Sequence, residues 1–380
     1  MTNTSPAFSD SKKHYVILDA LRGVAAILVV MFHILETFTN GDHSKQIINH
    51  GYMAVDFFFL LSGFVIGYAY DDRWGKMSLG SFFKRRLIRL HPMIIVGMLI
   101  GAVTFYFQDC SFFPSINGTP LWKMILVLLI GCTLIPVPTS LDIRGWQEMY
   151  PLNGPAWSLF FEYVANILYA LFIRRFPNWL LSVFVFIAGA ALIHLAVTGG
   201  HGDIIGGWSL EPDQLRIGIT RLLYPFFAGL LLFRVVKLTS INNAFLWSSL
   251  LLIAVLSVPR VGSNEQLWIN GLYDSLCVIF LFPFIVYLGA SGEVRGKWTG
   301  QLARFLGDIS YPLYIIHYPF IYLFMAWVAK HEAYIKTSAG FTMMVCMAIG
   351  VLLGVILLAY ACLKLYDVPV RKWLMRRFRV

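Results

Sequence analysis

Ten apolar runs, each long enough to cross a lipid bilayer, follow one another through the chain and constrain its fold more than any other feature. They cover residues 15–38, 51–70, 91–108, 155–173, 180–197, 217–234, 244–258, 267–289, 305–328 and 341–363. Inside hydrocarbon the backbone polar groups must bond to one another, so such runs form helices. Only 13% of the 380 residues are charged, whereas about a quarter are charged in a soluble domain. The sequence therefore predicts an all-α, polytopic integral membrane protein of about ten transmembrane helices, and it argues against a soluble enzyme.

The basic residues predict how these helices are oriented. The chain carries a net charge of +10, but its lysines and arginines lie in short clusters between apolar runs. This is the positive-inside pattern of a membrane protein, and it does not indicate a nucleic-acid partner. The clusters agree on one topology if both termini are cytoplasmic. A shorter apolar run, 121–135, is followed by Pro136 and Pro138. It is predicted to be re-entrant or interfacial on the outer side, because another full crossing would invert the later clusters.

This topology predicts three parts: a cytoplasmic N-terminal tail at 1–14, a transmembrane domain at 15–365 and a basic cytoplasmic C-terminal tail at 366–380. The N-terminal tail has no apolar core, so no cleaved signal peptide is expected. The five cysteines show no Cys-x-x-Cys spacing, which indicates neither a disulfide framework nor a metal site. The pattern leaves the oligomeric state open.

The first apolar run carries charges that a membrane helix normally excludes: Asp19, Arg22, His33 and Glu36. A charge near the bilayer centre costs roughly 3 kcal/mol or more, so it usually faces a partner or a water-filled cavity. Arg22 and His33 lie on nearly the same helix face, about 16 Å apart along the axis. The imidazole of His33 can take a proton from a hydroxyl and return it, which is general base and acid chemistry. The alternative is a neutral histidine that only packs.

Glu162 is a second candidate catalytic residue, in the stretch PAWSLFFEY that opens the fifth run. If that helix starts at the outer boundary, Glu162 lies about 10 Å below it, at a depth similar to that of His33. A carboxylate beside a histidine fixes its tautomer and stabilises the imidazolium. We therefore predict that Glu162 pairs with His33. The alternative is an ion pair with an arginine such as Arg221, which would serve helix packing alone.

Arg85, Arg86 and Arg89 lie in FFKRRLIRLHP before the third run. Their spacing lets all three present one cationic surface. On charge alone, such a block is typical of an anchor that binds membrane lipid head groups. The alternative is recognition of phosphates on a cytoplasmic ligand, for which arginine forks are favoured.

Several further residues are candidates for the wall of a buried cavity. Asp56 lies near the start of the second run and is predicted to line the cavity or to brace an arginine. Arg221 is costly inside its run, and His317 is equally compatible with packing and with cavity lining. Trp157 and Ser158 open the fifth run, where their turn is a candidate for stabilising an oxyanion.

Six blocks of the sequence resemble, in order, those of the acyltransferase family 3 membrane proteins. The blocks are LDALRGVAAILVVMFH, GYMAVDFFFLLSGFVI, FFKRRLIRLHP, GPAWSLFFEY, LGDISYPLYIIHYP and YDVPVRKWL. They span residues 18 to about 373, nearly the whole chain. A lone Arg-x10-His would be a weak signal, whereas six ordered blocks make chance resemblance improbable. The chain resembles the stand-alone type, without the appended hydrolase-like domain of many members.

The resemblance implies a membrane enzyme that moves an acyl group, commonly acetyl from acetyl-CoA, onto a hydroxyl of a carbohydrate or other envelope-associated acceptor such as a lipid-linked glycan. Acetyl-CoA is then a substrate, and no tightly bound cofactor or metal is expected. The resemblance implies a bacterial cytoplasmic membrane. His33 matches the family's proposed catalytic histidine, Arg22 its paired arginine, and Glu162 the acidic residue of the Trp-Ser-Leu-x-x-Glu block. Tyr163 stands where a tryptophan is common.

These arguments together favour one mechanism. The three arginines hold the nucleotide phosphates of acyl-CoA at the cytoplasmic face, and the pantetheine arm runs past Arg22 toward His33. Glu162 orients His33, which deprotonates the acceptor hydroxyl or accepts the acyl group first. The alternative from another class is a secondary transporter with a buried charged substrate or proton pathway. The absence of a visible inverted repeat counts against that alternative.

Overall fold

The structure is a computed structural model that describes residues 14–200, 202–261 and 265–378, and within those ranges it is built of helices and turns with no β-sheet. The α-helices are α1 Val16–Thr39, α2 Ala54–Tyr70, α3 Leu79–Thr104, α4 Leu121–Cys132, α5 Ala156–Leu171, α6 Asn178–Thr198, α7 Pro212–Val235, α8 Ala244–Leu256, α9 Trp268–Leu276, α10 Phe282–Ala290, α11 Lys297–Ile316, α12 Tyr318–Lys330, α13 Glu332–Ile335, α14 Ser338–Cys362 and α15 Val368–Phe378. Two π-helical segments, Cys277–Leu281 and Leu363–Asp367, join α9 to α10 and α14 to α15.

Seven helical segments of the described chain are long and apolar enough to cross a membrane: Val16–Thr39, Gly51–Tyr70, Leu79–Gln108, Asn178–Thr198, Pro212–Val235, Trp268–Ala290 and Ser338–Phe378. An eighth results if α11 and α12, which meet at a 53° bend, form one span. The helices α4, α5 and α8 are apolar but shorter. The prediction of an all-α polytopic membrane protein is confirmed, whereas the count of ten stays a prediction.

The third helix begins twelve residues before the predicted run at 91–108, at Leu79, with the Ser78 side chain accepting a hydrogen bond from the Ser81 amide. The arginines of FFKRRLIRLHP are therefore part of α3. Charged residues can extend a capped helix where it leaves the hydrocarbon core. The helix is about 39 Å long, whereas the hydrocarbon core is roughly 30 Å thick, so several residues of α3 extend beyond the core. The arginine block thus continues the span directly.

The structure adds two features at the C-terminal end that the apolar pattern does not predict. The run at 305–328 is broken at His317, where Pro319 opens α12 and removes a backbone donor. The segment at 366–380, predicted as a tail, is helical in its described part because α14 continues through the π-helical segment into α15. Basic residues of this segment therefore have fixed positions.

The helix α5 starts from inside the protein. Its 16 residues follow a segment, 148–156, in which every residue is buried. Asn153 anchors that segment by donating from its side-chain amide to the Ile315 carbonyl oxygen at 2.7 Å. The start of α5 is therefore enclosed by other parts of the protein, and its position relative to the outer membrane boundary stays a prediction.

Two pairs of helices pack closely along each other. The helix α1 packs along α11, and α2 packs along α7. At the second crossing, a Cβ on Gly63 would overlap the Phe226 carbonyl oxygen, and one on Gly229 would overlap that of Leu60. Small residues permit this approach, which gives membrane helices their van der Waals contact.

The α2–α7 crossing predicts a clear effect of one added methyl group. Gly63→Ala should lower the melting temperature of the protein in lipid nanodiscs, because overpacking costs about 1–3 kcal/mol. Gly350→Ala is the matched control, since a Cβ at Gly350 meets nothing within 4 Å. Equal melting temperatures for the two variants would contradict the close crossing.

Candidate active site

Two cavities of about 710 Å³ each lie along α1. The basic cavity is lined by, among others, Arg22, Arg85, Arg86, Arg89, Glu162 and Arg371. The histidine cavity is lined by, among others, His33, Glu36, His43, Glu148, Trp157 and Tyr318. The α1 stripe predicted from the sequence therefore does not face one continuous space. Arg22 faces the basic cavity and His33 faces the histidine cavity.

A thin partition separates the two cavities. Val55 of α2 and Tyr314 of α11 line both of them. The Tyr314 hydroxyl lies 2.7 Å from Ser158 Oγ, and Ser158 donates to the Pro155 carbonyl oxygen at 3.0 Å. Ser158 faces the basic cavity while its neighbour Trp157 faces the histidine cavity. The predicted Trp157–Ser158 turn thus forms part of the partition and does not point both side chains at one reacting atom.

His33 is held by a carboxylate of its own helix. Its Nδ1 lies 2.5 Å from Glu36 Oε2, and Glu36 Oε1 lies 2.8 Å from His43 Nε2. A carboxylate on Nδ1 keeps the proton there and orients the ring, which leaves Nε2 as the basic nitrogen. The ring packs edge-to-face against Tyr318 at a centroid distance of 4.8 Å. The arrangement supports proton transfer at His33 Nε2.

Glu162 does not pair with His33, and this prediction is corrected. Glu162 Oε1 accepts from Arg86 NH2 at 2.5 Å and from Ser62 Oγ at 3.4 Å, and it lines the basic cavity. A count along the helix could not settle this, because it fixes neither the tilt of α5 nor the direction in which the Glu162 side chain points. The alternative of an ion pair with an arginine describes the structure, with Arg86 in place of Arg221.

The arginines of α3 and α1 converge on the basic cavity. Arg85, Arg86 and Arg89 all line it. Arg22 also lines it, and its NH1 donates to Asp19 Oδ1 at 2.6 Å while Asp19 Oδ2 lies 3.0 Å from His14 Nε2. Arg86 is buried and Arg22 largely so, which makes both guanidinium groups fixed donors at the wall of the cavity.

Asp56 and Arg221 form a buried ion pair between α2 and α7. Arg221 NH2 donates to Asp56 Oδ2 at 2.6 Å and to the Tyr52 carbonyl oxygen at 2.8 Å, and NH1 donates to the Gly206 carbonyl oxygen at 3.0 Å. Asp56 lines neither cavity, so of its two predicted roles it has the second, which is to brace an arginine. Arg221 borders the histidine cavity, but the guanidinium is committed to these acceptors. The pair joins helices rather than binding a substrate.

His317 lies behind His33 at the break between α11 and α12. It is fully buried, it lines neither cavity, and its Nδ1 lies 2.8 Å from the Tyr314 carbonyl oxygen. Its ring stacks on that of His33 at a centroid distance of 5.6 Å. Packing is therefore the role that the contacts of His317 support.

The histidine cavity contains polar residues that the sequence patterns do not single out. Glu36 was noticed only as part of the stripe, although its separation of three positions from His33 is the signal for a helical side-chain pair. His43 and Glu148 lie in none of the six blocks and reach the cavity through turns and tertiary packing, whereas Tyr318 lies in the block LGDISYPLYIIHYP, next to His317. No group of three His, Cys, Asp or Glu side chains in the described ranges has the geometry to hold a metal ion.

Glu36 and Glu148 are the two carboxyl groups that line the histidine cavity, and Glu148 lies outside the candidate membrane spans. The two carboxyl oxygens of Glu148 accept from the Tyr322 hydroxyl at 2.7 and 2.8 Å. Arg144 Nε lies 3.6 Å away and its guanidinium stacks on the Tyr322 ring. Burial raises the pKa of Glu148 to about 7, although the Arg144 charge acts in the opposite direction.

The comparison with protein families identifies most of the chain's length. The model of a family described as "Acyltransferase domain" matches residues 15–363. This match confirms the resemblance drawn from the six sequence blocks. No solved structure matches the chain.

Curated relatives cover different shares of the chain. "Protein 2 in picA locus" of Rhizobium radiobacter is 33% identical over 169 residues, which are 42% of this chain and 82% of that protein. "Acyltransferase MdmB" of Streptomyces mycarofaciens is 31% identical over 169 residues, 43% of this chain and 38% of that one. "Peptidoglycan O-acetyltransferase OatA" of Listeria monocytogenes is 24% identical over 347 residues, 82% of this chain and 50% of that one. The chain thus spans about half the length of OatA.

The raised pKa of Glu148 predicts a pH dependence of stability. The folded state holds a proton on Glu148 that the unfolded state, with an ordinary glutamate pKa near 4.5, releases. Stability should therefore fall as pH rises from about 4.5 to about 7, by at most about 1.4 kcal/mol per pH unit, and be flat above. Melting temperatures in nanodiscs across this range measure the slope. Glu148→Gln should reduce the slope and the exposed Glu211→Gln should keep it; equal slopes in all three proteins would refute the assignment.

Proposed function

The chain belongs to the acyltransferase family whose model covers residues 15–363, and from this premise we propose that it is a membrane-bound O-acyltransferase that uses acyl-CoA. The acyl group is acetyl, and the acceptor is a hydroxyl of a carbohydrate. The name of the relative OatA, a peptidoglycan O-acetyltransferase, supports both choices. A transporter, the alternative considered from the sequence, has no support from family membership.

The observation that carries this proposal is the pair of cavities that meet at Val55 and Tyr314. One contains clustered arginines, which suit a phosphorylated donor, and the other contains a histidine held by a carboxylate, which suits a hydroxyl acceptor. The helix α1 joins them, since Arg22 and His33 are about 16 Å apart along its axis. An elongated donor with its charge at one end and its reactive carbon at the other fits this arrangement.

On the donor side, Arg85, Arg86 and Arg89 bind the nucleotide phosphates in the basic cavity. Glu162 holds Arg86 in place through the 2.5 Å contact. The pantetheine arm, which carries no charge, extends past Arg22 toward the partition. By the positive-inside rule, this end of the protein faces the cytoplasm, where the donor is made, and both termini lie on that side.

On the acceptor side, His33 acts as general base with Glu36 as its orienting carboxylate. His33 Nε2 takes the proton of the acceptor hydroxyl while the oxygen of that hydroxyl attacks the thioester carbonyl carbon. The tetrahedral intermediate then expels the CoA thiolate, which takes the proton from the imidazolium, so an ester and a free thiol are formed. Tyr318 packs on the His33 ring and is the candidate hydroxyl donor to the oxyanion.

The first test concerns the base and its carboxylate. His33→Ala and Glu36→Gln should each lower kcat by about 100-fold or more, because a general base and its orientation are lost. The measurement is acyl-CoA-dependent modification of envelope glycans in membranes, with mass spectrometry identifying the acyl group and the acceptor. His194→Ala, an exposed histidine on α6 outside both cavities, is the matched control. Activity at the wild-type level in well-folded His33→Ala would refute the assignment.

The second test concerns the donor. Arg86→Ala combined with Arg89→Ala should raise the KM for acyl-CoA about tenfold or more, since hydrogen bonds to charged groups contribute about 1.5–3 kcal/mol each. The exposed Arg295→Ala removes a charge from a loop outside the cavity and should leave the KM unchanged. An unchanged KM for acyl-CoA in the double variant would contradict donor binding by the α3 arginines and would leave them a role in membrane topology.

A further inference from the structure

The C-terminal segment contributes its own cations to the basic cavity. Lys364 of the π-helical segment and Arg371 and Lys372 of α15 line the cavity together with the α3 arginines. The family model ends at residue 363, before any of these residues. Arg371 and Lys372 do lie in YDVPVRKWL, one of the six blocks that resemble the family, but their placement at the cavity is an observation on this structure.

The helix α15 turns one selected face to the cavity. Val368, Arg371, Lys372 and Met375 line it, at spacings of three, four and seven residues that define a single helix face. Arg376 and Arg377, in the last turn, are exposed and are not among the lining residues. The helix thus divides its basic residues between the cavity and the surface.

An ion pair fixes this orientation. Arg371 NH2 lies 2.6 Å from Asp367 Oδ2, and the Asp367 side chain is buried. Asp367 closes the π-helical segment Leu363–Asp367, and such a segment rotates the following helix relative to the preceding one. Asp367 Oδ1 is buried without a hydrogen-bond partner in the described part of the chain. The ion pair is local to this helical segment, and packing against α3 holds α15 at the cavity wall.

The charges at the cavity do not balance. Eight arginine and lysine side chains line it, namely Arg22, Arg85, Arg86, Arg89, Arg304, Lys364, Arg371 and Lys372, against the four carboxylates of Asp19, Glu162, Asp308 and Asp367. Internal ion pairs join Arg22, Arg86 and Arg371 to carboxylates of the wall through one guanidinium nitrogen each. A cavity with such an excess of positive charge favours a ligand with several negative charges.

We propose that α15 is part of the donor site and binds the nucleotide phosphates of acyl-CoA through Arg371 and Lys372. The inference rests on the proposed function, because it takes its ligand from the donor assigned there. Anionic lipid head groups offer the same phosphate chemistry. The helix α15 packs against α3, however, while Trp373, which is 62% exposed, lies on another face of the helix and is available for the membrane.

The test uses the full-length protein in nanodiscs of phosphatidylcholine alone, with coenzyme A and pantetheine as probes in a direct binding titration. Arg371→Gln with Lys372→Gln should weaken coenzyme A binding about tenfold or more and leave pantetheine binding unchanged, because pantetheine lacks the nucleotide phosphates. Arg376→Gln with Arg377→Gln removes the same charge from the same helix and should change neither affinity. If the first variant does not fold, Lys372→Gln alone should still weaken coenzyme A binding.

Each contrary result has a separate meaning. Coenzyme A affinity in the Arg371/Lys372 variant within twofold of the wild type would overturn the role of α15 and leave the donor assignment standing. Failure of the wild-type protein to bind coenzyme A would overturn both. A difference between variant and wild type that arises only when phosphatidylglycerol is added to the nanodiscs would assign these cations to lipid, and would also overturn the proposal.

Discussion

The cost of burying charge in a membrane organises this structure. An ion that leaves water must find a partner or a wet cavity, and removing one member of a buried pair is strongly destabilising. The chain meets this constraint with two pairs between helices: Asp56 with Arg221 joins α2 to α7, and Arg86 with Glu162 joins α3 to α5. Both pairs connect residues far apart in sequence. They tie together helices that contribute to the cavity walls.

The sequence alone accounts for much of this arrangement. Low charge content and long apolar runs require membrane helices, and charges inside a run require a cavity or a partner. The spacing of Arg22 and His33 places both on one face because the helix period is invariant. The six blocks also identify the family without a structure. These inferences hold because each depends on a property local to one helix or on the chain as a whole.

The inferences that failed needed the relative depth of two helices. Glu162 was placed beside His33 by counting from an assumed boundary, but such a count fixes neither the tilt of α5 nor the direction in which the Glu162 side chain points. Nothing local reveals these, because they depend on tertiary contacts such as that between Asn153 and the Ile315 carbonyl. Meanwhile the actual partner of His33, Glu36, lies one turn away on the same helix. The three-residue spacing alone indicates the pair of His33 and Glu36. Only the tertiary structure excludes a pair of His33 and Glu162.

The partition formed by Val55 and Tyr314 has an electrical consequence for the membrane. A continuous water-filled passage along α1 would let protons and ions run down their gradients whenever the enzyme was empty. Two distinct cavities with an aromatic ring and a valine between them do not provide such a passage. The division therefore bears on the permeability of the membrane to ions as well as on the chemistry of the two cavities.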